Sequence, residues 1–244
     1  MLPSEVTVCI PTFKNPQQLT EALISLVRNT DFSGRILVIN NGSADYEEVQ
    51  FYVPYEVDWI NSGGNLGWEK SINLGLANSS TPLFCMSNDD ILFPINPNFW
   101  KIVTAWFSNG KVGAVGPVSN SAYWYQTLTL LGLPESFICG VLIGFFQICL
   151  RDCLEEGLDY TLPGGDDIDL CIRIRNSGKH LVVDRRLFVF HYGAQTGNRL
   201  YPQYWGSEKH QIDAYNALIR KHGLTKWQSC WDGTIMETRC CPAT

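Results

Sequence analysis

The sequence predicts an α/β fold in which helices flank a mostly parallel central sheet. Short apolar segments typical of strands alternate with segments of helical periodicity. Acidic or amide residues follow two of these apolar segments directly, as expected where the strands of an open α/β sheet end at a ligand site. The composition of the 244 residues, 45% hydrophobic and 17% charged, is typical of a globular protein with one substantial core.

The first half of the chain has a strand, helix, strand rhythm. Residues 6–10 and 35–39 are apolar strands. Five apolar side chains recur between them at helical intervals: Leu19, Ala22, Leu23, Leu26 and Val27. Such a unit places its strands parallel, with a right-handed crossover. Helices are also predicted at 68–76 and 99–107, with a strand at 83–86 between them, so that residues 1–95 form a Rossmann-like nucleotide-binding half.

The second half is predicted to complete the same domain. Residues 96–222 form its acceptor and catalytic half and end in a helix at 205–222, whereas residues 223–244 are a tail without a clear period. The longest apolar run, at 137–150, is interrupted by two glycines and a glutamine. A run of this length is too short to span a bilayer, so no transmembrane segment is expected.

Two acidic clusters and one histidine are the candidate catalytic and metal-binding residues. Asn88, Asp89 and Asp90 follow the strand at 83–86, although a simple polar turn would have the same composition. Three further aspartates, at 166, 167 and 169, open a helix after two glycines, where they could also act as plain helix caps. His191 closes a later strand. Carboxylate and imidazole ligands together predict a site for Mn²⁺ or Mg²⁺ that also binds phosphate.

These segments resemble the family 2 glycosyltransferases, enzymes that use nucleotide sugars and have the GT-A fold. The resemblance runs from about residue 6 to residue 192 and depends on the order of six motifs. They are the first strand with its Pro11-Thr12 turn, Asn40-Asn41-Gly42-Ser43, the loop and helix from Asn65-Leu66-Gly67 to Gly75, Asn88-Asp89-Asp90, Gly165-Asp166-Asp167-Ile168-Asp169-Leu170, and His191.

The resemblance implies an inverting, metal-dependent transfer of one sugar from a nucleoside diphosphate donor to a hydroxyl acceptor such as a glycan or a lipid-linked group. Asp90 and His191 would hold the metal, and Asp167 would take the acceptor proton with Asp166 beside it. The implied donor contacts are Pro11, Thr12, Asn40, Asn65, Gly67, Asn88 and Asp89. The acceptor would meet Gly140 and Asp169. The membrane spans and the Gln-x-x-Arg-Trp motif of processive synthases are absent from the sequence, which favours single transfer.

Two residues depart from the family pattern. Asn40 stands where an aspartate usually reads uracil, and Asn88 replaces the first acid of the Asp-x-Asp motif. An amide can accept from uracil N3–H and donate to O4, so a UDP-sugar remains the favoured donor. Asp90 retains the position that more regularly binds the metal in this family.

Two further segments are candidates for substrate contacts. Trp124 lies in an uncharged stretch from 112 to 134, where its ring could stack on a sugar or could equally belong to the core. Arg199 ends a glycine-containing segment at 193–199, which could close over the diphosphate or be an ordinary surface loop.

Three other functions are alternatives. A nucleotidyltransferase of similar architecture would need a glycine-rich, arginine-containing phosphate loop right after the first strand, and residues 11–15 do not form one. A glycosyltransferase acting on modified bases in DNA is disfavoured by a net charge of −6, since duplex binding depends on neutralising phosphates. A catalytically inactive module that binds sugar nucleotides or glycans is motivated by Asn40 and Asn88. Nine cysteines without a signal-like N-terminus predict free thiols and a cytoplasmic location.

Overall fold

The structure is a computed structural model that describes residues 1–42, 47–129, 132–193, 199–200, 202–204, 206–223, 225 and 236–237. The strands in these ranges are β1 (Val6–Thr12), β2 (Arg35–Asn40), β3 (Val57–Asn61), β4 (Leu83–Ser87), β5 (Ile91–Leu92), β6 (Val112–Ser119), β7 (Ser136–Cys139), β8 (Phe146–Leu150), β9 (His180–His191) and β10 (Met236–Glu237). The helices are α1 (Pro16–Asn29), α2 (Glu47–Tyr52), α3 (Trp68–Ala77), α4 (Phe99–Trp106), α5 (Asp166–Asn176) and α6 (Glu208–His222).

One mixed sheet carries strands from both halves of the chain, in the order β10-β7-β9-β6-β8-β4-β1-β2-β3. Strands β3, β2, β1 and β4 run parallel, as the strand, helix, strand rhythm predicted. Strand β8 is antiparallel to both β4 and β6, and β9 is parallel to β6. The carboxyl ends of β6 and β9 therefore lie at the same edge of the sheet as those of β1 to β4.

Helices cover the sheet with the apolar faces that the sequence predicted. In α1 the buried face includes Leu19, Leu23 and Leu26. In α4, Phe99 and Trp100 are completely buried and their rings contact each other with centroids 5.4 Å apart. Burial of each such side chain stabilises the fold by roughly 1.5–3 kcal/mol. Layers on both sides of the sheet hold its edge, and the polar residues there, in a fixed place.

The C-terminal part differs in detail from the prediction. Helix α6 begins at Glu208, where the Ser207 hydroxyl accepts a hydrogen bond from His210 N at 3.2 Å and so caps the helix. The sequence predicted that this helix begins three residues earlier, at Trp205, which lies outside the described residues. Within the tail, Met236–Glu237 adds a short antiparallel strand to β7. No helix in the described ranges has both the length and the apolarity needed to cross a membrane.

Candidate active site

Polar side chains end the parallel strands at one edge of the sheet. Thr12 ends β1, Asn40 ends β2 and Asn61 ends β3, in register with one another. The Asn40 amide Nδ2 donates to Asn61 Oδ1 at 2.9 Å, and Thr12 Oγ1 donates to Asp89 Oδ2 at 2.6 Å across from β4. The predicted donor residues Thr12, Asn40 and Asp89 are thus brought to one edge, where an open α/β sheet binds its ligand.

Asp89 links the ends of β1 and β4. Its side chain is buried, and burial raises the pKa of its carboxyl to about 6, with the neighbouring Asp90 adding to the rise and the Thr12 hydrogen bond opposing it. Because one Asp89 oxygen is engaged by Thr12, this residue stabilises the edge of the sheet next to the predicted Pro11-Thr12 turn.

Asp90 and His191 meet although they are about a hundred residues apart in the chain. Strand β5 begins directly after Asp90 and pairs with the end of β9, with Ile91 opposite His191. Tyr192 N donates to the Asp90 carbonyl at 3.0 Å, and His191 Nε2 lies 3.2 Å from Asp90 Oδ1. Both side chains are buried, with 3% of Asp90 and 7% of His191 exposed.

The hydrogen bonds of His191 determine which nitrogen carries its proton. Nδ1 lies 3.1 Å from the Ser121 carbonyl, which can only accept, so Nδ1 is the donor. In the neutral ring Nε2 then carries a lone pair, to which Asn88 Nδ2 donates at 3.1 Å. Asp90 Oδ1 accepts no hydrogen bond from the described part of the chain. A carboxylate oxygen facing an imidazole lone pair is an arrangement that a cation stabilises.

His191 is held firmly from its other sides. Asn120 Oδ1 accepts from His191 N at 2.8 Å, and Asn120 Nδ2 donates to the His191 carbonyl at 3.1 Å. The Phe145 ring stacks on the imidazole with centroids 5.2 Å apart and an interplanar angle of 16°. The sequence prediction missed Asn120, although it follows the apolar strand β6 just as Asn88 follows β4.

The chemistry of Asp90 and His191 fits Mn²⁺ or Mg²⁺, provided that substrate supplied the remaining ligands. Within the described ranges no three His, Cys, Asp or Glu side chains converge as a group that could hold a metal ion. Asp90 and His191 provide two ligands of the right kind, and the imidazole donates its other N–H to a carbonyl, as metal-binding histidines commonly do. These ions usually retain water and bind phosphate oxygens, so two protein ligands are sufficient.

The second acidic cluster begins α5. Gly165 precedes the helix with φ of 76°, a left-handed conformation that favours glycine. Asp166 and Asp167 follow it and remain partly exposed. Asp167 Oδ1 accepts from Ile168 N at 2.8 Å, and Oδ2 accepts from Gly144 N at 3.1 Å. The sequence prediction missed Gly144.

The two partly exposed aspartates differ in the groups that shift their pKa. Burial raises the pKa of the Asp166 carboxyl well above its usual value, and the charges of Asp167 and Glu69 raise it further. Burial also raises the pKa of Asp167, but hydrogen bonds from the N–H groups of Gly144 and Ile168 oppose this rise. The pKa of both carboxyls is therefore raised, while the two N–H groups favour the ionised form of Asp167.

Asp169 differs from its two neighbours because its side chain is completely buried. Oδ2 accepts from Arg173 Nε at 2.9 Å, and Oδ1 lies 2.6 Å from Lys221 Nζ and 2.7 Å from His222 Nε2. Burial alone would raise its pKa, but these three partners hold the pKa below the usual value. Such contacts favour a structural role over the acceptor contact predicted from the sequence.

The remaining predicted residues show only local contacts in the described ranges. Asn65 Oδ1 accepts from Gly67 N at 3.0 Å, and Gly67, with φ of 80°, precedes α3. Gly140 is buried just after β7. Trp124 begins a short 3₁₀ helix, and its side chain lies outside the described residues.

Arg199 is close to the predicted donor site but contacts protein in this structure. Its Nη2 donates to the Phe13 carbonyl at 2.7 Å and its Nη1 to the Lys14 carbonyl at 3.3 Å. The guanidinium also lies over the Phe13 ring, 6.0 Å from the centroid. Arg199 therefore sits against the turn that follows Pro11 and Thr12, while residues 194–198 of the predicted loop lie outside the described ranges.

Comparisons with solved structures identify the fold. A mannosyltransferase from Pyrobaculum calidifontis, solved in complex with GDP-Man and Mn²⁺, superposes with a TM-score of 0.72 at 16% identity, over 95% of this chain and 70% of that one. Residues 1–349 of TarS from S. aureus superpose with a TM-score of 0.59 at 13% identity, over 93% of this chain and 77% of that one. The fold is therefore GT-A, as the sequence motifs predicted.

Sequence comparisons agree with the assignment of a glycosyltransferase fold. Uncharacterised proteins of Mycobacterium tuberculosis and Mycobacterium bovis are each 24% identical to this chain over 175 residues, which is 65% of this chain. The chain spans 64% of the length of these relatives. The family model described as glycosyl transferase family 2 matches residues 7–129, just over half of the sequence. On this match, which runs from the second residue of β1 past β4 and contains Thr12, Asn40 and Asp90, the chain belongs to glycosyl transferase family 2.

Proposed function

We propose that this chain is a metal-dependent, inverting glycosyltransferase that moves one sugar from a nucleoside diphosphate sugar to a hydroxyl acceptor. The observation that carries the proposal is the pair formed by Asp90 and His191, whose Oδ1 and Nε2 lie 3.2 Å apart at the carboxyl edge of the sheet. Family membership and the GT-A fold support it.

Asp90 and His191 would hold Mn²⁺ or Mg²⁺ at this edge. When bound, the ion neutralises the charge that develops on the departing diphosphate. Asn120 and Phe145 keep the imidazole in place, so Nε2 would reach the ion once the Asn88 amide, which donates to it at 3.1 Å, is displaced. The mannosyltransferase with a similar fold was solved with Mn²⁺ and GDP-Man, which supports this choice of ion and donor class.

Asp167 would accept the proton of the acceptor hydroxyl. Its two oxygens are oriented by Gly144 N and Ile168 N, and its raised pKa brings it closer to the acidity of an effective base at neutral pH. Asp166, whose pKa burial raises, could donate a hydrogen bond to a substrate oxygen when it is protonated. In this proposal the acceptor would attack from the side opposite the leaving diphosphate, which would give inversion.

The nucleobase of the donor would be recognised at the carboxyl ends of β2 and β3. The Asn40 and Asn61 amides are linked there, and an amide can pair with the O4 and N3–H edge of uracil. Uridine is the base we propose. Guanosine is the alternative to compare, because a mannosyltransferase of the same fold binds GDP-Man.

A turnover screen tests the proposal. The protein is incubated with Mn²⁺ and a panel of UDP-, GDP-, CDP- and TDP-sugars, and released nucleoside diphosphate is measured before and after chelation. We expect release from one class of donor, its loss on chelation, and its stimulation by hydroxyl acceptors. Binding without release from any donor would favour an inactive binding module, and neither binding nor release would contradict the proposal.

A further inference from the structure

Helix α6 lies against the turn that begins the catalytic helix α5. Leu218 is completely buried, and a Cβ added to Gly165 would lie 2.7 Å from Leu218 Cδ1. A Cβ added to Gly164 would lie 2.7 Å from His210 Nε2. The two helices therefore approach so closely here that the turn has no space for a side chain.

The same two helices are also joined by the contacts of Asp169. The completely buried Asp169 on α5 has Lys221 Nζ 2.6 Å and His222 Nε2 2.7 Å from its Oδ1. Arg173 Nε, one turn further along α5, donates to Oδ2 at 2.9 Å. A carboxylate with no exposure is stable only when its partners remain in place, so these contacts restrict how α5 and α6 can move.

The same cations also reach the segment before α5. Arg173 Nη2 donates to the Gly157 carbonyl at 2.7 Å, and Lys221 Nζ donates to Asp159 Oδ2 at 2.8 Å. Hydrogen bonds from Lys221 and Thr161 lower the pKa of Asp159 to about 2. The segment that leads into the Gly164 and Gly165 turn is thus held by the same group of charges.

The predicted base lies between the two sets of contacts that join α5 and α6. Asp169 N donates to the Gly165 carbonyl at 2.9 Å and so closes the first turn of α5, with Asp166 and Asp167 inside it. Leu218 contacts the beginning of this turn, and Lys221 and His222 hold its end. A shift of α6 would therefore move the carboxylate of Asp167.

We propose that Lys221 and His222 are positioning residues, which act through Asp169 to fix the first turn of α5 with Asp167 directed at the acceptor hydroxyl. The inference rests on the proposed function, because it presumes that Asp167 is the base. A misplacement of 1 Å in a reacting group can cost about 10²-fold in rate. Lys221 and His222 thereby contribute to turnover from outside the substrate site.

Two substitutions and a matched control test this. Lys221→Met and His222→Ala each remove one partner of Asp169, whereas Lys209→Met breaks an exposed pair with Asp213, 2.7 Å apart within α6. We expect kcat to fall roughly 10- to 100-fold in the first two variants, with KM for the donor and Mn²⁺ affinity unchanged. Amide hydrogen exchange at residues 166–169 should become faster in the same two variants only.

A conservative variant distinguishes positioning from folding. His222→Gln retains an N–H donor, so it should recover most of the lost kcat and of the exchange protection. A lower melting temperature with normal kcat per folded molecule would overturn the proposal, and so would unchanged exchange at 166–169. If exchange responds as expected but the wild-type protein transfers no sugar, the proposed function fails while the mechanical link between α6 and α5 stands.

Discussion

Replacing Asp167 by asparagine separates the chemistry of transfer from donor binding. The carboxylate accepts from Gly144 N at 3.1 Å and from Ile168 N at 2.8 Å. An amide has one oxygen, so one of these N–H groups would face an NH₂ group instead. Losing that hydrogen bond costs about 1–3 kcal/mol in the free energy of unfolding. For a chain of this size each kcal/mol lowers Tm by roughly 2–4 °C, so the variant remains folded at 25 °C.

The effect on turnover should be larger than the effect on stability. Without the base, kcat should fall by ~10²–10⁴, equivalent to about 3–5 kcal/mol in the activation barrier. Release of nucleoside diphosphate at saturating donor measures kcat, and calorimetry measures donor affinity, which should remain close to that of the wild type. Asp213→Asn on α6 is the matched control and should leave kcat unchanged.

Three results would refute this reasoning. An equally large loss of donor affinity in Asp167→Asn would make the residue a ligand or a structural cap instead of a base. Normal turnover in Asp167→Asn together with lost turnover in Asp166→Asn would move the base to Asp166. Normal turnover in both variants would mean that the two aspartates only cap the helix.

Asn40→Asp should sharpen the preference for uridine, since a carboxylate accepts from N3–H but cannot donate; an unchanged preference in calorimetry with UDP, GDP, CDP and TDP would place Asn40 outside the base site. Asn120→Ala removes both hydrogen bonds to the His191 backbone and should weaken Mn²⁺ binding about 10- to 100-fold, measured by electron paramagnetic resonance; equal affinity would contradict this. Asp169→Asn should cost about 3–5 kcal/mol in urea unfolding at pH 7. Because the folded pKa of Asp169 lies below 3.8, its contribution is complete above that pH and is lost as the pH falls through the lower folded value, so a pH-independent difference would argue against these ion pairs.

The parts of the fold that depend on local pattern were predictable. The helical spacing of Leu19, Leu23 and Leu26 and the apolar strands around them led to parallel strands with covering helices, and both are confirmed. The place of β8 was not predictable in the same way. Its insertion between β4 and β6 depends on antiparallel pairing with partners 59 to 67 residues away in β4 and 33 to 35 residues away in β6, which no local period encodes.

The residues of the candidate site likewise differ in whether the local sequence could identify them. Asp90 and His191 could be predicted because residue type and position after an apolar strand mark them, and the structure brings them together. Gly144 could not be identified from residue type because its backbone N–H makes its contact with Asp167. Asp169 shares its sequence context with Asp166 and Asp167, and only the packing of α6 onto α5 distinguishes it.

The most direct test of the account is metal-dependent nucleotide binding through Asp90. Calorimetric titration of the wild-type protein with nucleoside diphosphate should give clearly tighter binding with Mn²⁺ than in chelator. Asp90→Ala removes one of two protein ligands, so its affinity should be low and the same with or without Mn²⁺. If Asp90→Ala instead keeps the full Mn²⁺-dependent affinity of the wild type, the metal is not held by Asp90 and His191, and the proposed mechanism is wrong.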